Sequence, residues 1–384
     1  MASAQESAGD TAERSALIHR ETVQLSALIA LAIVAFLITR AVAASNREMS
    51  VRDAAEWFRR GRQAMDAGRV DEAIDSLRRA TVRDRGDRQY VLSLAQALAL
   101  KRDEDGARSV LLTLRESDPE DPDINLQLGR LAANRQDVTE ALRFYHNALY
   151  APWPAEQADA RRRVRLELIR FLLTHSQRGR AASELLALST DLPDDSALRP
   201  EVAELFARAG DDRRALEQFQ RILRSAPQDG AALAGAGQAA FRLGDYPSAA
   251  RYLRGAPVDA DGVRDTLNVV DLVISNDPLS PRIGSAERRR RLLADFSYAQ
   301  QRLGKCVEQP VASGPLDQAL ALLQEARAFE NRTAAAAILE QDTIEMGVDL
   351  VDRVEGEIGR QCGPPAPLDQ ALALIGRRHG GEAR

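Results

Sequence analysis

Cys306 and Cys362 are the only cysteines in the 384 residues, and they are the pair best suited to chemistry. Each ends a predicted helix just before a turn, so the chain can bring them together. A disulfide there would close a loop of about 57 residues and stabilise the fold by about 4 kcal/mol in the chain-entropy model. Two idle thiols, the ordinary state in a reducing compartment, are the other reading. Zinc needs four ligands at recognisable spacing, and two thiolates with His379 fall short of that. His19, His146 and His175 show no partner pattern either, and the last two fall on helices where a packing role is expected. No glycine-rich phosphate loop, nucleophile elbow or paired-histidine metal motif occurs. The sequence therefore predicts no catalytic residue, no cofactor and no metal.

The charged groups point the same way. Arg288–Arg291 are four consecutive arginines on a predicted helix. At about 100° per residue they fan around the axis and read as solvated charge. Asp118–Asp123 reads as an exposed turn. A net charge of −5 argues against a nucleic-acid partner. Of the 52 basic residues all but Lys101 and Lys305 are arginine, a bias that fits a GC-rich bacterial genome.

The elements that hold these groups are helices. Thr22–Thr39 is an apolar run without a charge, bounded by Glu21 and Arg40. As a helix it spans about 27 Å, close to the ~30 Å hydrocarbon core of a bilayer. Ala41–Ser45 resembles a small-residue cleavage site. Against cleavage stand the long acidic leader (Glu6, Asp10, Glu13, Glu21) and Arg40, which separates the run from that site. A retained single-pass anchor is the expectation. Arg14 and Arg20 precede the span while Arg40, Arg47, Arg52 and Arg59 follow it, which favours a cytoplasmic location for what comes after. The cysteine pair favours the opposite, oxidising side.

After the span a pattern recurs: an alanine, a large apolar residue four on, and an apolar or small residue three beyond. It reads Ala73/Leu77/Ala80, Ala107/Leu111/Leu114, Ala141/Tyr145/Ala148, Ala181/Leu185/Leu188, Ala215/Phe219/Ile222 and Ala249/Leu253/Ala256. The alanines step by 34, 34, 40, 34 and 34 residues, with the extra six near Trp153–Asp159. Trp57, Gly61 and Gly68 precede Ala73; Gly129 and Gly237 recur at the place of Gly61, and Gly244 at that of Gly68. Pro119, Pro193 and Pro227 follow their alanines by twelve residues, where proline stops a helix. With this period and these residues the chain resembles the tetratricopeptide-repeat family.

That resemblance covers about residues 51–257 and implies an all-α, right-handed α-α superhelix of about six repeats. In the family the first helix of each hairpin lines a concave groove. Carried over, the groove contains Phe58, Arg62, Gln96, Leu126, Arg130, Arg163, Leu166, Arg170 and Gln238. Arginines outnumber Asp123 and Glu204 there, so an extended protein segment or peptide of acidic character is the expected partner. The lysine- and asparagine-rich clamp of the chaperone-binding members is absent.

The expected organisation is a tail (1–21), an anchor (22–39), a linker (40–50), the repeats (51–257) and a helical C-terminal cap (258–384). Within the cap, Pro315–Leu322 and Pro367–Leu374 both read PLDQALAL and are expected to start equivalent helices. The whole resembles membrane-anchored bacterial repeat proteins, which implies a non-enzymatic scaffold in the inner membrane with its repeats in the periplasm or, by the arginine count, the cytoplasm. The alternative is a transferase whose catalytic part is the C-terminal region, which would need an α/β sheet for a nucleotide donor.

Overall fold

The structure, a computed structural model, describes residues 3–193, 195–308 and 316–380, and no strand occurs among them. Met1, Ala2 and Pro315, the first residue of one PLDQALAL copy, lie outside the described residues. Two compact units divide the chain at Leu168 and Ile169.

The first unit opens with α1 (Ser3–Asp66), 64 residues of continuous helix. Residues 40–50, expected as a linker, are part of this helix. Its apolar side chains from Leu28 to Val42 are exposed, and it is long and apolar enough to cross a membrane. Its last turns pack on α2 (Val70–Arg83) as the first hairpin. Next come the pairs α3 (Arg88–Leu100) with α4 (Glu104–Ser117) and α5 (Pro122–Asn134) with α6 (Val138–Tyr150). The extra residues form a short 3-10 turn, Ala155–Gln157, ahead of α7 (Ala158–Thr174), where the Trp153 indole donates to the Ala148 carbonyl at 2.8 Å.

In the second unit α8 (Arg178–Asp191), α9 (Arg199–Ala209), α10 (Asp212–Ser225), α11 (Gly230–Arg242) and α12 (Tyr246–Gly255) continue the hairpins. The cap follows as α13 (Val263–Asn276), α14 (Ser285–Glu308), α15 (Asp317–Thr333), α16 (Gln341–Gln361) and α17 (Pro367–Gly380). Here α16 packs against α14, α15 and α17, and α13 packs against α12 and α17. Leu292, Phe296, Phe329, Val351, Ile358 and Leu372 fill the core, which is continuous with Ala249 and Leu253 of the sixth repeat.

All six anchor alanines are fully buried. Their small size lets the two helices of a hairpin close, and glycine on the facing helix serves the same end. A Cβ added at Gly61 would lie 2.7 Å from Leu77 Cγ, and one at Gly237 only 2.5 Å from Leu253 Cγ.

The hairpin turn is also periodic. Five residues before each anchor the chain enters the left-handed region, at Gly68, Arg102, Gln136, Ser176, Gly210 and Gly244, with φ between 58° and 86°. The next N–H reaches five residues back to close the first helix: Asp103 to Leu98, Asp137 to Ala132, Asp211 to Phe206 and Asp245 to Ala240. The same four aspartates cap the second helix, their carboxylates accepting from the N–H of Gly106, Glu140, Arg214 and Ser248. A single residue thus ends one helix and starts the next.

Candidate binding face and its electrostatics

Register from the anchor alanines aligns the first helices residue by residue. Eleven positions before its anchor each repeat carries Arg62, Gln96, Arg130, Arg170, Glu204 or Gln238. Fourteen before stand Arg59, Ser93, Gln127, Glu167, Glu201 and Gly235. The arginine of one repeat meets the residue at the second position in the next. Within the first unit Arg130 donates through Nε and Nη2 to both oxygens of Glu167, at 2.8 and 2.7 Å. The Tyr145 hydroxyl donates to the same carboxylate at 2.9 Å. Burial, reinforced by that carboxylate, pushes the Tyr145 phenol far above its ordinary range. Within the second unit Arg170 donates to Glu201 through Nε at 2.7 Å and through Nη2.

These pairs change the charge expected of this face. Arg130 and Arg170 are engaged by carboxylates of their own chain, which a count of Asp123 and Glu204 alone missed. Asp123 is itself held by Arg88 at 2.9 Å. Leu126 and Leu166, expected on the groove face, are 9% and 2% exposed and belong to the core. Gln238 is committed to the Asp261 carbonyl at 3.0 Å. Phe58 is half-buried and stacks on Tyr90, with ring centroids 4.7 Å apart, and Gln96 is also half-buried. Arg62 and Arg163 are exposed and carry no ion pair among the described residues.

Cys306 and Cys362 are joined as a disulfide, with Cα atoms 5.3 Å apart, tying the end of α14 to the residue after α16. The PLDQALAL copies start α15 and α17 but are not equivalent in environment. Asp317 is exposed, whereas Asp369 is buried. Asp369 accepts from the Ala366 N–H at 2.8 Å, the Tyr298 hydroxyl at 2.7 Å and Arg302 Nε at 3.1 Å.

The arginine run is structural and not merely solvated. Arg291 bonds Glu287 and the carbonyls of Ile274 and Asp277, and Arg289 reaches the Ala334 carbonyl. His379, without a partner on the sequence, sits 3.2 Å from Asp277. Burial alone would raise the Asp277 carboxyl, but the His379 and Leu279 hydrogen bonds and the Arg378 charge hold it below its usual range. At Asp295 burial outweighs the charges of Arg291 and Arg290 and pushes the carboxyl up to about 8. Glu355 is likewise raised to about 8 by burial and the charge of Asp369, and its Oε1 has no hydrogen-bond partner among the described residues.

Paired helices repeated at a fixed register, with no metal cluster among the described residues, define a helical-repeat protein. The family profile "Tetratricopeptide repeat" matches residues 58–122, 102–156 and 201–262, and the chain carries tetratricopeptide repeats over these residues. No curated protein matches it.

Among solved structures, a tetratricopeptide repeat protein from Parabacteroides merdae ATCC 43184 is 12% identical, with 78% of this chain and 99% of that chain covered and a TM-score of 0.38. The P58(IPK) TPR domain is 12% identical over 86% of this chain and 99% of its own, with a TM-score of 0.29. The TPR2AB domain in the pHSP90 complex of yeast Sti1 is 17% identical over 78% and 98%, with a TM-score of 0.27. At these scores the likenesses carry no information about partners.

Proposed function

We propose that this protein is a non-enzymatic, membrane-tethered scaffold that binds protein partners along the first helices of its repeats. Residues 22–39 are its single-pass anchor in a bacterial inner membrane, and its repeats and cap stand in the periplasm. The observation that carries the reading is α1, which passes without a break from the exposed apolar segment into the first repeat hairpin. A partner with exposed carboxylates suits Arg62 and Arg163, the arginines of the expected face that carry no ion pair among the described residues. The Cys306–Cys362 disulfide supports the oxidising side of the membrane.

Extraction and labelling test this. The protein should stay with membranes washed in alkaline carbonate, and thiol reagents applied to freshly lysed cells should label neither cysteine until a reductant is added. Release by carbonate refutes the anchor. Labelling of both cysteines without reductant refutes the periplasmic side and leaves the repeats in the cytoplasm.

A further inference from the structure

In the inner repeats the arginine eleven positions before the anchor is matched by a carboxylate of the next repeat: Arg130 by Glu167, Arg170 by Glu201. Arg62 occupies the same position in the first repeat. Its matching position holds Ser93, which is short, carries no charge and is 5% exposed. Arg62 is exposed and makes no ion pair among the described residues, not even with Asp66 one turn along its own helix. Arg59, one turn back on α1, is likewise exposed and unpaired among them. The first hairpins therefore present the arginine half of a motif whose acidic half is supplied from within the chain elsewhere.

The surroundings are partly apolar, with Gln96 and Asp66 among them. Met65 and Leu92 are only partly buried against the core, and Leu100 at the end of α3 is 60% exposed. By register these residues share the face of Arg62. A guanidinium pair next to the exposed Leu100 and the half-buried Met65 and Leu92 is complementary to a carboxylate flanked by apolar side chains. We infer that the first two repeats are the docking end of this face, and that Arg62 receives a glutamate or aspartate of a partner protein's extended segment whose apolar neighbours cover Leu92 and Leu100. This rests on the scaffold reading and narrows it, because Arg130 and Arg170 are already engaged.

The test uses the full chain in phosphatidylcholine nanodiscs, with a fluorescent peptide of alternating leucine and glutamate as probe. Arg62→Gln should weaken binding about tenfold or more, the range of a lost charge-assisted hydrogen bond. Arg62→Lys, which keeps the charge and loses the fork, should fall between. The paired change Arg170→Gln/Glu201→Gln should leave binding within about twofold. The same peptide with glutamine for glutamate should not bind.

Undiminished binding to Arg62→Gln, or equal binding of the glutamine peptide, overturns the inference. So does Arg62-dependent capture of phosphatidylglycerol vesicles without peptide binding, which would assign the site to lipid. Photo-crosslinkers at Leu100 and Leu173 in intact cells separate this inference from the broader reading. Partner adducts at Leu100 that vanish with Arg62→Glu support it. Adducts at Leu173 alone, or between two copies of this chain, overturn it and leave the scaffold standing. No protein adduct at either position removes both.

Discussion

Replacing Arg102 and Ser176 by glycine is expected to make the protein more stable. Both side chains are exposed, make no hydrogen bond or ion pair among the described residues, and hold φ at 68° and 58°. An L-residue in the left-handed region costs about 1–2 kcal/mol. Glycine removes that strain but gives back about 0.5–1 kcal/mol in unfolded-chain entropy. The net is about 0.5 kcal/mol per site, or about 1 kcal/mol for the double variant if the sites add. For a repeat region of this size that is a rise of about 2–4 °C in Tm.

The converse change isolates the cause. At Gly210 and Gly244, with φ of 86° and 75°, an added Cβ would meet nothing within 4 Å, so alanine there brings backbone strain without a clash. Each should cost about 1 kcal/mol. Urea unfolding followed by circular dichroism in nanodiscs reads both effects. A double glycine variant no more stable than the parent, together with harmless alanines at Gly210 and Gly244, would refute the claim that this turn sets the hairpin's stability.

Other outcomes follow from the cap and the hairpin contacts. Asp295 and Glu355 are raised from near 4 to about 8, so their contribution is fully present below the unfolded pKa and is lost as pH rises through about 8. Hydrogen exchange in α14 and α16 should therefore be faster at high pH than near neutrality beyond the intrinsic rate, and Asp295→Asn with Glu355→Gln should flatten that difference. Reducing Cys306–Cys362, or changing both to alanine, should cost about 2–4 kcal/mol, seen as a lower urea midpoint for the cap helices and the sixth repeat that shares their core. Gly237→Ala puts a methyl carbon 2.5 Å from Leu253 Cγ and 3.2 Å from its backbone nitrogen, and overpacking of about 1–3 kcal/mol should appear in the same titration.

The hairpins were legible because close helix packing tolerates only small residues, and alanine held every 34 or 40 residues records that constraint directly. The turn was half legible. Gly68 and Gly244 advertise a left-handed residue, but Arg102, Gln136 and Ser176 occupy the same conformation with no such sign. The aspartate four before the anchor was open to reading at Asp103, Asp137, Asp211 and Asp245, since helix caps carry a residue signature. The cysteine pair was half legible, because the helix ends allowed a bond but left two free thiols as the other reading.

The binding face was least legible. Which carboxylate meets Arg130 depends on how one repeat lies on the next, and Glu167 is 37 residues away with no local pattern to mark it. Leu126 and Leu166 were misplaced for a related reason, because a helix packed on two sides buries more of its circumference than one groove-lining face suggests. The roles of Asp369 and His379 are contacts across 71 and 102 residues, beyond any periodicity.

The unbroken α1 also sets a heading. A helix turns about 100° and rises about 1.5 Å per residue, so with residues 22–39 in the bilayer as proposed, the rotational register of the span fixes the direction of Arg62 relative to anything packed on one side of it. One residue inserted between Arg40 and Ser50 would swing the first repeat by about 100° while lifting it about 1.5 Å. Seven inserted residues would lift it about 10 Å yet return it to within about 20° of its original bearing. Height and aim are therefore separable in this protein, and a partner packed against one side of the span would sense the second more keenly than the first.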